Sequence, residues 1–314
     1  MKYLSFLIIL LFFNKIAYSQ ELYVAVIDTG IGYENSKFKN RIKINLDIFQ
    51  KNNFEDVKDY NDHGSHIGHI ILNNTVDQVV IVPYKQYNKE NEGKIQGTAT
   101  EMLNKAVFSP FIENIKKNKI KLVNISGGYN VYQEKDFEAF KNASDVLFIV
   151  ASGNNVYSDD TQIQDLDKLI IASHTSKNHK FHNKFKYGFY PCAYQLPNIV
   201  CVSNAVVNEK LGEVKILANY GSFVVDVFAN GENVVSNDAS GKMISMTGSS
   251  MSTPKVTALF ANEMVKNPKL SITELKEKVY SLFKQDDFLK QFSKYGYYLD
   301  ESILKTTPVI TKHP

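Results

Sequence analysis

Three short segments, far apart in this chain of 314 residues, carry between them an acid, an imidazole and an alcohol. Asp28-Thr29-Gly30 ends the apolar run Leu22–Ile27. His63-Gly64-Ser65-His66 opens an apolar helical stretch, and Gly248-Ser249-Ser250-Met251-Ser252-Thr253-Pro254 precedes another. A serine hydroxyl is a poor nucleophile at neutral pH. It needs a base within hydrogen-bond reach, and the base needs a third group that holds its tautomer. Ser250, His63 and Asp28 fill those roles in the order Asp, His, Ser. A fourth segment, Ala151-Ser152-Gly153-Asn154, ends another apolar run and offers a carboxamide N–H to a developing oxyanion. Gly248 and the small Ser249 permit close backbone approach to the nucleophile. Pro254 suits the first turn of the helix that follows, where a missing N–H costs nothing. A helix beginning at the nucleophile also turns its unpaired N–H groups and positive end toward negative charge.

Other chemistries fit less well. Asp-Thr-Gly is also the signature of aspartic proteases, but that mechanism needs a second such carboxylate, and no other Asp-Thr-Gly or Asp-Ser-Gly occurs. His63, His66 and His69 fall at i, i+3 and i+6. Six helical residues give about 600° of rotation, so His69 points away from His63. No His-Glu-x-x-His pattern supports zinc, and no metal is expected.

Elements that alternate between strand and helix must position these residues. Leu22–Ile27, Gln78–Pro83, Lys121–Ile125, Val146–Ala151, Asn198–Val202 and Val224–Phe228 read as strands. His63–Leu72, Thr98–Lys117 (with Met102, Leu103, Ala106 and Val107 on one stripe), Gln133–Asn142, Thr253–Lys266 and Ser271–Phe283 read as helices. Ser271 and Glu274 make a capping box for the last. Short apolar strands between helices imply parallel strands with crossovers, hence a three-layer α/β/α fold with a mostly parallel central sheet. Sites in such sheets form at the carboxyl ends of strands, where Asp28, Ser126 and Asn154 sit. The stretch from Ser152 to Phe189 is acidic in its first half and basic in its second. It reads as a solvated loop, or as a rim that biases substrate entry.

Composition bounds the setting. Hydrophobic residues make up 44%, which is ordinary for a folded domain. Lys2, the apolar stretch Tyr3–Phe13 and the small residues of Ala17-Tyr18-Ser19 form a signal peptide over 1–19, with cleavage before Gln20. The apolar run is shorter than the roughly 20 residues of a membrane span. Removing Lys2 and Lys15 with no acid takes the formal net charge from +3 to +1. That balance gives no reason to expect nucleic acid or an anionic membrane as partner. Cys192 and Cys201 suit an exported protein, either as one disulfide or as two buried thiols. The remainder, 20–314, reads as a single domain.

The motifs resemble those of the subtilisin-like serine proteases, the subtilases, through most of the mature chain. Val24-Ala25-Val26-Ile27-Asp28-Thr29-Gly30 resembles the family's Asp motif, His63-Gly64-Ser65-His66-Ile67 its His motif, and Gly248–Pro254 its Ser motif. The resemblance implies endopeptidase chemistry, with Asp28, His63 and Ser250 catalytic and Asn154 the oxyanion residue. It also implies that Asn124-Ile125-Ser126-Gly127-Gly128 contains the edge that pairs with substrate backbone. Ser126, Gly127 and Gly128 would then face Ala151, Ser152 and Gly153 as walls of the substrate site. Several positions depart from the family pattern. His69 and Ala258 replace glycines, Lys255 stands where His is usual, and Asn230 replaces a Pro.

Only Gln20 to Tyr23 separate the expected cut from the first strand core, where family members commonly carry a pro-region. Either no pro-region is needed, or a separate inhibitor or chaperone serves in its place as a partner. Structural calcium is common in the family, but no calcium motif is found here and no cofactor is expected. The reading is an exported serine endopeptidase, secreted or periplasmic. The alternatives are a catalytically inactive subtilase-fold protein that binds peptides and a non-peptidase acyl hydrolase.

Overall fold

The computed structural model describes residues 21–32, 36–44, 57–86, 107–154 and 188–305. The expected signal peptide, the first part of the predicted helix 98–117 and nearly all of the acidic-then-basic stretch lie outside them. In chain order the strands are β1 (Leu22–Asp28), β2 (Val79–Lys85), β3 (Leu122–Ile125), β4 (Leu147–Ala151), β5 (Ile199–Asn208), β6 (Glu213–Ile216), β7 (Val227–Ala229), β8 (Val234–Asn237), β9 (Met243–Met246), β10 (Lys284–Gln285) and β11 (Tyr297–Tyr298). The principal helices are α1 (His63–Asn73), α2 (Ser109–Lys117), α3 (Glu134–Lys141), α4 (Ser249–Lys266) and α5 (Ile272–Tyr280).

The main sheet runs β10-β11-β7-β5-β4-β3-β1-β2, with β6 added antiparallel to the end of β5. The pairs from β11 through to β2 are parallel. Side chains alternate across each strand, so successive residues enter opposite layers. Val24 and Val26 of β1 fall in one apolar cluster with Ile67 and Ile71 of α1 and Val256 and Phe260 of α4, which Leu275 and Val279 of α5 extend. Ala25 and Ile27 pack with Ile112 and Ile115 of α2 and Phe140 of α3. The result is the expected three-layer α/β/α fold. Its central strands are apolar on both faces because helices cover both.

Register sets the site. Ile27 pairs with Ile125, and Ile125 with Val150. The next residue of each strand therefore falls in one row, which brings Asp28, Ser126 and Ala151 together at the carboxyl edge.

Some boundaries differ from the sequence reading. β5 continues past Val202 to Asn208, because Val202–Asn204 pair in parallel with β7 and Ala205–Asn208 pair antiparallel with β6. The buried Ser203 Oγ donates to Asn219 O at 2.6 Å, and Asn204 Oδ1 accepts from Gly231 N at 2.8 Å. The strand predicted at 224–228 starts only at Val227 and runs one residue further, to Ala229. α4 begins at Ser249, so Pro254 lies inside the helix and not in its first turn. A proline there supplies no N–H to the carbonyl four residues earlier, that of Ser250. Ser126 Oγ donates to that carbonyl instead, at 3.0 Å. At α5 the capping box of Ser271 and Glu274 forms as read. Cys192 and Cys201 are joined as a disulfide with a Cα–Cα distance of 5.1 Å.

Candidate active site

Asp28 ends β1 and is 3% exposed. Its Oδ1 accepts the Thr29 N–H at 2.8 Å and lies 2.7 Å from His63 Nδ1. A carboxylate can only accept, so the proton of neutral His63 sits on Nδ1 and leaves Nε2 as the acceptor. Burial alone pushes the His63 imidazolium down. The Asp28 charge and hydrogen bond, with help from the Asp59 charge, outweigh it and hold the pKa above the usual 6.5.

Asp59 ties the first turn of α1, which His63 opens, to the end of β1, and it lies in none of the four motif segments. It is 3% exposed. Its Oδ1 accepts from Thr29 Oγ1 at 2.9 Å and from the Asn61 and Asp62 N–H groups, and its Oδ2 accepts from Ser65 N at 2.8 Å and Ser65 Oγ at 2.6 Å. Thr29 Oγ1 in turn accepts the Gly64 N–H at 2.8 Å. One carboxylate thus caps α1 and ties its first turn to the residue beside Asp28. The available signal was an Asp shortly before a helix that opens on a histidine.

Ser250 is the second residue of α4 and 8% exposed. Its Oγ donates to Ser126 O at 2.8 Å, while Ser126 Oγ donates back to Ser250 O. The hydroxyl's single proton is therefore directed to Ser126 and not to His63 in this conformation. Behind Ser126, Asn124 Nδ2 donates to Ser126 Oγ at 3.0 Å, and Thr257 Oγ1 donates to Asn124 Oδ1 at 2.8 Å. This buried chain pins α4 to β3.

Asn154 follows β4. Its Oδ1 accepts from Ser249 N at 2.8 Å and Ser249 Oγ at 3.0 Å. A backbone N–H can only donate, which fixes the oxygen of the carboxamide and leaves Nδ2 as a donor on the other side. Nδ2 would lie 2.9 Å from a Cβ at position 248, so only glycine lets the two segments approach this closely. The Ser250 N–H, in the first turn of α4, has no intrahelical partner. It and Asn154 Nδ2 are two donors, among the described residues, beside the candidate nucleophile.

The structure therefore brings the sequence-derived residues to one edge of the sheet. Asp28 and His63 bond directly, Ser250 bonds to Ser126, and Asn154 is anchored on Ser249. Gly127 and Gly128 follow Ser126, and Ala151, Ser152 and Gly153 precede Asn154. The other two histidines of α1 are in the core, where His69 bonds Ser65 O and Ser36 Oγ and His66 bonds Val234 O. Among the described residues no group of three His, Cys, Asp or Glu side chains converges as a metal site. Two of the departures from the family pattern meet: Lys255 Nζ donates to Asn230 O at 2.7 Å.

A sequence profile of the subtilase family, peptidase S8, matches residues 19–297. Proteinase R of Parengyodontium album is 25% identical over 247 residues, covering 76% of this chain and 52% of that protein. The chain spans about half the length of the curated relatives it matches. Among solved structures, the A-subunit of the AB5 toxin from E. coli superimposes with a TM-score of 0.63 at 16% identity, covering 92% of this chain and 93% of that one. A cold adapted subtilisin-like serine proteinase gives a TM-score of 0.63 at 21% identity, covering 90% and 89%. Both likenesses are of fold.

Proposed function

The chain belongs to the subtilase family, and from that premise we propose that it is an exported serine endopeptidase working through Asp28, His63 and Ser250. Family membership supports a serine protease. The observation that carries the finer reading is the 2.7 Å bond between Asp28 and His63, in the same strand-end row that holds Ser126 against Ser250.

In this reading an extended substrate pairs with the backbone of Ser126–Gly128. The Ser250 hydroxyl turns from Ser126 O to His63 Nε2. His63 takes the proton as Oγ bonds to the scissile carbonyl carbon, and the carbonyl electron pair moves onto oxygen. Asn154 Nδ2 and the Ser250 N–H hold that oxyanion. His63 then gives its proton to the departing amine, leaving an acyl-enzyme. Water repeats the sequence, losing a proton to His63 and releasing the acid, while Ser250 regains its proton. Asp28 orients the ring and stabilises the imidazolium throughout.

The site needs no metal in this sequence of steps. The segment 1–19 supports export to a periplasm or the medium, and among the described residues no helix is long and apolar enough to cross a membrane. N-terminal sequencing of exported protein should begin at Gln20. A separate inhibitor or folding chaperone remains part of the proposal.

The hydroxyl bond to Ser126 favours one other reading, an inactive subtilase fold that binds peptides. Hydrolysis of a peptide library by wild type, Ser250→Ala and His63→Ala separates the two. The peptidase reading expects turnover to fall about 10⁶-fold in either variant, the scale seen when a triad member is removed. Equal turnover in wild type and variants would refute it.

A further inference from the structure

The two backbone segments that flank Ser250, namely Ser126–Gly128 and Ala151–Asn154, are separated by a gap that a side chain of this protein already fills. A Cβ built on Gly128 would lie 2.7 Å from Phe189 Cε1 and 2.9 Å from Cζ. A Cβ built on Gly153 would lie 2.8 Å from both Cδ2 and Cγ of the same residue. Those two bonds are on opposite sides of the phenyl ring. The ring therefore spans the gap, resting on one glycine at each side, and any side chain at either position would expel it.

Phe189 is held there by its neighbours. Tyr129 N donates to Tyr190 O at 3.0 Å and Tyr190 N to Tyr129 O at 2.8 Å, which fixes the residue after Phe189 against the residue after Gly128. Ala193 N donates to Phe189 O at 2.9 Å. The Tyr190 ring is 1% exposed, packed on Tyr194 and Tyr129, and the disulfide Cys192–Cys201 ties the segment to β5. Asn219 closes the Gly153 side. Its Nδ2 donates to Ser152 O at 2.9 Å and its backbone N–H to Gly153 O at 2.9 Å. Gly153 has φ +90°, so this wall requires glycine for its backbone as well.

This placement fixes what a substrate meets. A scissile carbonyl attacked by Ser250, with its oxygen at Asn154 Nδ2 and its preceding residues paired to Ser126–Gly128, sends the side chain of the residue before the bond into the gap. Resting on the peptidase reading above, we propose that Phe189 occupies the pocket for that residue and restricts cleavage to peptide bonds that follow glycine, alanine or serine. A hydrogen, a methyl or a hydroxymethyl group fits beside the ring. A leucine or phenylalanine side chain competes with it for the same volume. Size selection of this kind is steric exclusion by a filled pocket.

The test is a series of fluorogenic peptides that differ only at that residue (Gly, Ala, Ser, Leu, Phe), hydrolysed by the mature protein and by Phe189→Ala and Phe189→Leu. Wild type should give a kcat/KM for Ala about 100-fold above that for Phe. The Phe-to-Ala ratio should rise about tenfold or more in Phe189→Ala, with Phe189→Leu between them. If Phe189→Ala does not fold, the wild-type profile and Phe189→Leu decide the matter. Wild type that cleaves after Phe or Leu as well as after Ala overturns the proposal, as does a ratio identical in folded variants. A fluorophosphonate run alongside separates the two levels. Labelling with cleavage after large residues removes the Phe189 assignment alone, whereas no labelling and no cleavage of any peptide removes the peptidase reading and this one with it.

Discussion

Ser126 and Ser250 are joined twice: the Ser250 hydroxyl donates to the Ser126 carbonyl at 2.8 Å, and the Ser126 hydroxyl donates to the Ser250 carbonyl at 3.0 Å. The second bond exists because Pro254 cannot supply the helical N–H. The candidate nucleophile is thus positioned by a strand end across the sheet edge as well as by its own helix.

Ser126→Ala should leave the buried Ser250 carbonyl without a donor and lower unfolding free energy by about 1–3 kcal/mol. Pro254→Ala restores the N–H at the right position. Denaturant unfolding of both single variants and the double variant should therefore show strong coupling, with Pro254→Ala recovering much of the loss. Additive effects would contradict the link.

Asn154→Asp keeps an oxygen for Ser249 N but removes the Nδ2 donor. The expected result is a fall in kcat of about 10²–10³, the range known for such donors, with KM and melting temperature changed little. A loss that appears only in KM would mean that Asn154 binds substrate and does not hold the oxyanion.

The four motifs made the site legible because each sits where an apolar strand ends or an apolar helix begins, and those boundaries are written in residue type. Leu22–Ile27 could be read as β1 for that reason, and Asp28 followed. The start of α4 was not legible. Gly248-Ser249-Ser250 has no helix-forming pattern, and the helix starts there because Asn154, nearly a hundred residues earlier, accepts the Ser249 N–H. Asp59 was hidden similarly: its ligands come from Thr29 and the first turn of α1, a convergence that exists only once β1 and α1 are packed. Phe189 belonged to no motif. Its position is set by pairing of Tyr190 with Tyr129, which no local sequence pattern announces.

His63 has its pKa raised above 6.5 by Asp28. The neutral ring is the base, so kcat/KM should fall as pH drops through a value above 6.5 in the free enzyme. Asp28→Asn removes the charge that raises it. The acid limb should move to lower pH and kcat should drop by about 10⁴. The stability linkage has the opposite sense: protonated His63 favours the folded state, so this contribution is complete below pH 6.5 and is lost as pH rises through the folded pKa. A pH–rate profile unchanged by Asp28→Asn would refute the pairing.

Asp59→Ala strips the acceptor from Thr29 and the first turn of α1. As a positioning residue it should lower kcat with KM nearly unchanged, and cost about 3 kcal/mol or more in unfolding free energy. Asp59→Asn, which keeps one acceptor oxygen, should recover part of both. Full activity in a folded Asp59→Ala protein would remove its assigned role.

The most direct measurement is mass spectrometric mapping of the site modified by a fluorophosphonate on mature, folded protein. A single adduct on Ser250 is expected, and it should be lost in His63→Ala, because the hydroxyl reacts only when the imidazole takes its proton. An unmodified Ser250, or an adduct that forms equally well without His63, would contradict that expectation.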